Sequence, residues 1–220
     1  MNLSVHRLAA AALLAGSVLA AHADNVDFLG YTHGSKNITL TVTAAPAHAA
    51  TGAGGFLTTL NGGPSFTTFC VDVYQHIGFA DPAYPEYYQV AGNLFPFTNP
   101  HANADLGKLF TKYGAVSTAS ATNSAAFQTA VWEIEYETSG AYNLGTGNAK
   151  FTGDAGAIAQ ASAWLGNLGT RDTVSIHVLA SRLHQDVVYS TPVPEPGTYA
   201  LMAAGLTAMG LFARRRRAPA

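Results

Sequence analysis

The chain has 220 residues, of which 11 are Lys or Arg, 13 are Asp or Glu, and one is Cys. Setting aside Arg7 and Arg214 to Arg217 leaves six basic residues, and setting aside Glu195 leaves twelve acidic ones, so the central part is near −6. That balance excludes a nucleic-acid binder, which needs a basic face, and the single Cys70 excludes an intrachain disulfide. No internal repeat of solenoid or propeller period is present.

In chain order, the first feature is an export signal. His6 and Arg7 precede an uncharged apolar run from Leu8 to Ala21, and small residues at Ala21 and Ala23 suit signal peptidase, with cleavage before Asp24. Residues 1–23 are therefore set apart from the fold, and 24–191 is long enough for one domain with its own core.

In "KNITLTVTA", Ile38, Leu40 and Val42 alternate with Thr39, Thr41 and Thr43, the period of a half-buried strand. The stretch "FCVDVY" also reads as a strand, with Phe69, Val71 and Val73 on one side and Cys70, Asp72 and Tyr74 on the other, away from the larger apolar set. Three helices follow. "NADLGKLFTKYG" is read with Asn103 as N-cap and Gly114 just past its end. "TNSAAFQTAVWEIEYETSG" carries a buried stripe of Phe127, Val131 and Ile134 beside Gln128, Trp132 and Glu135. "GDAGAIAQASAWLGNLG" is entered at Asp154 and closed by Gly169, with Ile158, Ala161, Leu165 and Leu168 inward. "TVSIHVLA" is a last alternating strand through Val174, Ile176 and Val178. The expected fold is α+β, a β-sandwich or barrel-like sheet built from the terminal strands with a helical insertion.

One chemistry that an exported chain can carry out with a single cysteine needs no second thiol. A thiolate pressed against a glutamine carboxamide displaces ammonia and leaves a thioester, which apolar and aromatic neighbours such as Phe69, Phe127 and Trp132 shield from water. "FCVDV" and "AAFQTAVWEI" resemble the paired motifs of thioester domains in bacterial surface adhesins, an aromatic-Cys-aliphatic strand and a helix with hydrophobic-Gln-x-Ala-aliphatic-Trp. The resemblance runs loosely from Gly55 to Leu168 and implies that Cys70 and Gln128 are the thioester pair. It departs at Phe127, where Gram-positive adhesins commonly have threonine. Two other uses of Cys70 stay open: an inert buried thiol, the usual fate of a lone cysteine, and an intermolecular disulfide.

Weaker signals carry less. His33, His48, His76, His101, His177 and His184 are scattered without metal-ligand spacing, and no metal or other cofactor is expected. Asp72 beside Cys70 and Glu133 on the glutamine helix lack a partner at fixed offset, so Asp72 is read as a residue that orders the strand near the thiol. No nucleophile elbow or phosphate loop is present, and turnover catalysis is not expected.

The chain closes with "TPVPEPGTYALMAAGLTAMGLFARRRRAPA". Pro192, Pro194 and Pro196 break the preceding fold, an uncharged run from Gly197 to Ala213 is just long enough to span a bilayer, and Arg214, Arg215, Arg216 and Arg217 stay cytoplasmic. This pattern resembles the PEP-CTERM sorting tail of Gram-negative bacteria, with Val193, Pro194, Glu195 and Pro196 as its signature. The resemblance implies an exosortase as processing partner for residues 192–220. Two function classes remain: a covalent binder that acylates an amine or hydroxyl on an unidentified surface or matrix target, and a non-covalent structural or matrix protein of the envelope or biofilm.

Overall fold

The structure, a computed structural model, describes residues 23–43, 51–79, 83–193, 201–207 and 209. Among the described residues up to Val193, nine strands and three α-helices follow in the order β1 (Asp24–Tyr31), β2 (Lys36–Val42), β3 (Thr51–Ala53), β4 (Phe56–Leu60), β5 (Phe66–Cys70), β6 (Tyr84–Ala91), α1 (Ala102–Ser117), α2 (Ala121–Tyr136), β7 (Ala149–Gly153), α3 (Ala155–Leu165), β8 (Val174–Ala180) and β9 (Val187–Pro192). Six strands close into an antiparallel barrel, β1-β4-β5-β9-β8-β6, and three form a separate sheet, β3-β2-β7.

The barrel is filled with rings. Phe28 meets Phe56, Tyr84 and Tyr87 with centroids 5.8–5.9 Å apart in tilted or edge-on geometry, the arrangement in which aromatic quadrupoles attract. The Thr58 and Thr68 hydroxyls pair at 2.8 Å, which satisfies two buried polar groups at once. A bulge between Phe28 and Gly30 shifts the β1–β4 register and lets the barrel wall bend.

The expectation that the terminal strands share one sheet is corrected. β2 pairs with β3 and β7, whereas β8 lies in the barrel between β6 and β9. Alternation marks which face of a strand is buried, not which strand lies beside it. Here β2 packs with β3 and β7 against α2, which buries Ile38, Leu40 and Val42.

The helical insertion sits where the hydrophobic spacing places it, with different ends. Its first helix starts at Ala102 after His101, whose N–H donates to Asn99 Oδ1, so Asn103 is inside the helix and is not its cap. Gly114 is also inside, and the helix runs on to Ser117, whose hydroxyl donates to the Gly114 carbonyl at 2.7 Å. The second helix is capped by Ser120, whose side chain accepts from Asn123 N. It is buried continuously from Ser124 to Tyr136, because the barrel strand β5, the three-stranded sheet and both other helices surround it. The expected single stripe is therefore a helix enclosed on every side. The third is capped by Asp154 and ends at Leu165, four residues before Gly169; Ala157, Ala161, Trp164 and Leu165 face inward, while Ile158 and Leu168 are only partly buried.

Among the described residues no helix is long and apolar enough to cross a membrane. Residues 201–207 are helical and exposed; most of the rest of the expected span 197–213, together with the signal peptide up to residue 22, Pro194, Glu195, Pro196, Arg214, Arg215, Arg216 and Arg217, lies outside the described residues.

Candidate functional site

Cys70 is the last residue of β5, and the strand stops there for a local reason. The main-chain N–H groups of Val71 and Asp72 both reach the Asp186 carbonyl, at 2.9 and 3.5 Å, and Asp72 Oδ1 accepts from Tyr74 N at 2.7 Å. Two donors on one acceptor end the ladder, and the side-chain bond turns the chain. The strand read through Tyr74 thus ends four residues earlier, at Cys70, and Asp72 orders a turn where it was expected to order a strand.

Phe69 and Cys70 point to opposite sides of the barrel wall. Phe69 faces the helices, with its ring centroid 4.5 Å from Phe127 and 6.0 Å from Phe110. Both residues are 1% exposed, so the side that Cys70 faces is as closed as the other. Gly55 permits this density: a Cβ there would lie 2.7 Å from Thr67 Cγ2 and 3.0 Å from the Phe69 ring, and its N–H donates to Ser124 Oγ on α2 at 2.8 Å.

Gln128, 1% exposed on α2, reaches across this contact and clasps the cysteine's main chain. Its Oε1 accepts from Cys70 N at 2.8 Å, and its Nε2 donates to Cys70 O at 2.7 Å. The carboxamide is thereby fixed in orientation, with the carbonyl polarised by a buried N–H. The Cys70 thiol donates to the Asp72 carbonyl at 2.7 Å, and the same oxygen accepts from Gln185 Nε2 at 2.9 Å. One helical turn beyond Gln128, Trp132 is buried, and its indole N–H makes no hydrogen bond of regular geometry among the described residues. Tyr136, another turn on, accepts from Val73 N at 3.2 Å and donates to Val71 O at 3.3 Å, which fixes the turn after the strand.

Burial pushes the Cys70 thiol well above its ordinary value. The Trp132 and Gln185 side chains act as donors that oppose the rise, while the Asp72 and Asp186 carboxyls add to it. Asp186 is itself pushed up to about 6, by burial and then by Asp72, against a hydrogen bond from Ser181 N. A cavity of about 100 Å³ opens onto the thiol, lined by Tyr31, Phe56, Cys70, His76, Phe79, Trp132 and Gln185 among others.

Of the residues singled out in the sequence, Cys70, Gln128, Phe69, Asp72, Phe127 and Trp132 therefore come together. Glu133 does not; its Oε1 accepts from Asn143 N, in the segment between α2 and β7. Gln185, Asp186 and Tyr136 at the site carry no spacing signal, because two of them lie in the turn before β9 and the third reads as an ordinary aromatic of a buried helix. Among the described residues no three His, Cys, Asp or Glu side chains converge to hold a metal ion. Val193, the first signature residue of the tail, is half exposed, and its N–H donates to Thr173 O at 3.1 Å, so the motif begins where the barrel ends.

Residues 192–217 match the PEP-CTERM protein-sorting motif, the signal for exosortase processing. No curated protein matches the chain. Among solved structures, the N-terminal thioester domain of fibronectin-binding protein SfbI from Streptococcus pyogenes is similar at 10% identity and a TM-score of 0.46, over 81% of this chain and 97% of that one.

Proposed function

We propose that the protein is an exosortase-sorted surface protein of a Gram-negative envelope that holds an internal thioester between Cys70 Sγ and Gln128 Cδ, and uses it once to attach covalently to an amine- or hydroxyl-bearing surface or matrix. The observation that carries this reading is the double hydrogen bond between the Gln128 carboxamide and the Cys70 main chain in a closed aromatic surrounding. In the closing step, Sγ bonds to Cδ as the Cδ–Nε2 bond breaks. The thiol proton leaves with Nε2 and its two hydrogens as ammonia, and the Cys70 N–H stabilises charge on Oε1 during the exchange. Phe69, Phe127 and Trp132 keep water from the bond. In the opening step, a target nucleophile takes Cδ, and Sγ regains a proton. The bond is consumed, so the protein acts as a one-time reagent and does not turn over as an enzyme.

The tail supports the sorting half of the reading: signal peptidase acts at residue 23, residues 197–213 hold the ectodomain 24–191 outside the inner membrane, Arg214 to Arg217 stay cytoplasmic, and exosortase processes the chain near Val193 to Pro196. Deletion from Val193 onward sends the ectodomain to the medium; unchanged retention at the envelope contradicts it.

The second reading, a non-covalent matrix or structural protein with an inert cysteine, is favoured by the thiol's hydrogen bond to Asp72 O and its raised pKa, both of which stabilise the protonated form. Intact-mass measurement on the purified full chain separates the two. The thioester reading predicts a chain one ammonia lighter than its sequence, which gains one methylamine when that amine is added. Full sequence mass and no gain support the inert cysteine.

A further inference from the structure

The cavity at Cys70 contains a residue that the closing of the bond does not use. His76 lies in the turn between β5 and β6, is exposed, and lines the same small cavity as the buried thiol. Its other walls are Tyr31, Phe56, Ile77, Phe79, Trp132, Gln185 and the backbone at Gly52. The Tyr31 ring packs edge-on against Phe79 at 4.9 Å, and Phe56 meets Phe79 at 5.6 Å, so an aromatic rim frames the opening. The buried Trp132 side chain, which acts as a donor toward the thiol, belongs to the same lining. A small cavity lined by the thiol and walled by aromatic rings is a place where a polar group from outside can approach Cys70.

Opening a thioester requires that the incoming nucleophile lose a proton as it attacks Cδ, and a positioned base contributes to that step. The lining offers few groups for the task. Tyr31 donates its hydroxyl to the Gly52 carbonyl at 2.8 Å, and burial raises its pKa. Gln185 is bound to the Asp72 carbonyl, and Cys70 is the leaving group. The Asp72 and Asp186 carboxyls act on the thiol but are engaged by Tyr74 N and Ser181 N. The His76 imidazole is the remaining side chain of the lining with a basic ring nitrogen, and histidine is the side chain most often used as a general base.

We propose that His76 is the general base for target capture. Resting on the thioester reading above, the step runs as follows: the imidazole accepts the proton of the attacking amine or hydroxyl, the nucleophile bonds to Gln128 Cδ, the Cδ–Sγ bond breaks, and the imidazolium returns its proton to the sulfur. No oxidant or further reactant enters. The bond closes without His76, because the thiol proton leaves on the departing ammonia.

The test compares the full chain with His76→Gln and His76→Ala, reading intact mass and the rate of methylamine capture. The proposal predicts that all three lose one ammonia on folding, and that both variants capture methylamine more slowly by about 100-fold, the lower end of what general-base catalysis contributes. Added imidazole restores capture in His76→Ala. Variants that lose ammonia yet capture at the wild-type rate, or a His76→Ala variant that added imidazole does not rescue, overturn His76 as the base and leave the thioester standing. A wild-type chain of full sequence mass overturns the thioester reading and the base with it.

Discussion

The barrel interior and the core around α2 are equally closed to water but are filled with different chemistry. Inside the barrel, Phe28, Phe56, Tyr84 and Tyr87 pack ring against ring, and the Thr58 and Thr68 hydroxyls satisfy each other. Along α2, by contrast, Gln128, Glu133 and Glu135 are buried, and each reaches the main chain of a different segment: Cys70, Asn143 and Thr98. A buried polar group is costly unless it is paired. The barrel avoids that cost and acts as a frame; the helix accepts it and thereby fixes three loop or strand ends at defined positions, one of which carries the thiol.

The comparison breaks most visibly at the ring where the two regions meet. Phe127 is fully buried between Phe69 and Phe110, with centroids 4.5 and 4.8 Å away. Phe127→Ala is expected to destabilise the chain by about 3–5 kcal/mol in a denaturant titration, through lost transfer energy and the cavity left behind. It should also slow closure of any Cys70–Gln128 bond, since Gln128 is the next residue on the helix.

The second contrast is in pH dependence, which α2 carries and the aromatic frame does not. Burial pushes both Glu133 and Glu135 from an ordinary 4.5 up to about 7, against hydrogen bonds from Asn143 and Thr98 respectively. With folded values above the unfolded ones, their stabilisation is fully present below about pH 4.5 and is lost as the pH rises through 7. Asp186, raised to about 6, adds in the same direction. Glu137 runs the other way: burial raises it, but donors from Ser139, Asn148 and Ala149 outweigh that, and its contribution is lost as pH falls. The net expectation is a melting temperature several degrees lower at pH 8 than at pH 5. Glu133→Gln and Glu135→Gln should flatten that slope.

How far the sequence could be read follows the same division. Period-two alternation identified β2 and β8, and helical spacing, with Asp154 as an entry signal, identified the helices, because those patterns report a local face. They say nothing of partners, so the sheet that takes each strand was misassigned. The enclosure of α2 was hidden for a related reason: the spacing shows a stripe of Phe127, Val131 and Ile134 beside Gln128, Trp132 and Glu135, and nothing in it shows the segments that close over the rest of the helix. Cys70 and Gln128 were legible because each sits in a distinctive local motif. Gln185 and His76 were not, since a polar residue in a turn carries no periodicity and gains its role only from what the barrel folds against it.

Within the site the two partners differ in their expected weight. Gln128→Ala removes both hydrogen bonds to the Cys70 main chain and leaves a buried N–H and carbonyl unpaired, for a loss of about 1–3 kcal/mol. Cys70→Ala removes only the thiol's bond to Asp72 O, whose oxygen keeps Gln185, and should cost about 1 kcal/mol or less. Equal losses in thermal unfolding of the two variants would contradict the view that α2 positions the strand end.

The most direct measurement of the central claim is peptide mapping of the full chain by mass spectrometry, after digestion at mildly acidic pH. The account predicts one cross-linked species joining the peptides that hold Cys70 and Gln128, lighter by one ammonia than their sum, absent from Cys70→Ala and replaced after methylamine treatment by a free-thiol peptide and a methylated glutamine peptide. Two separate, unmodified peptides from untreated wild-type protein contradict it.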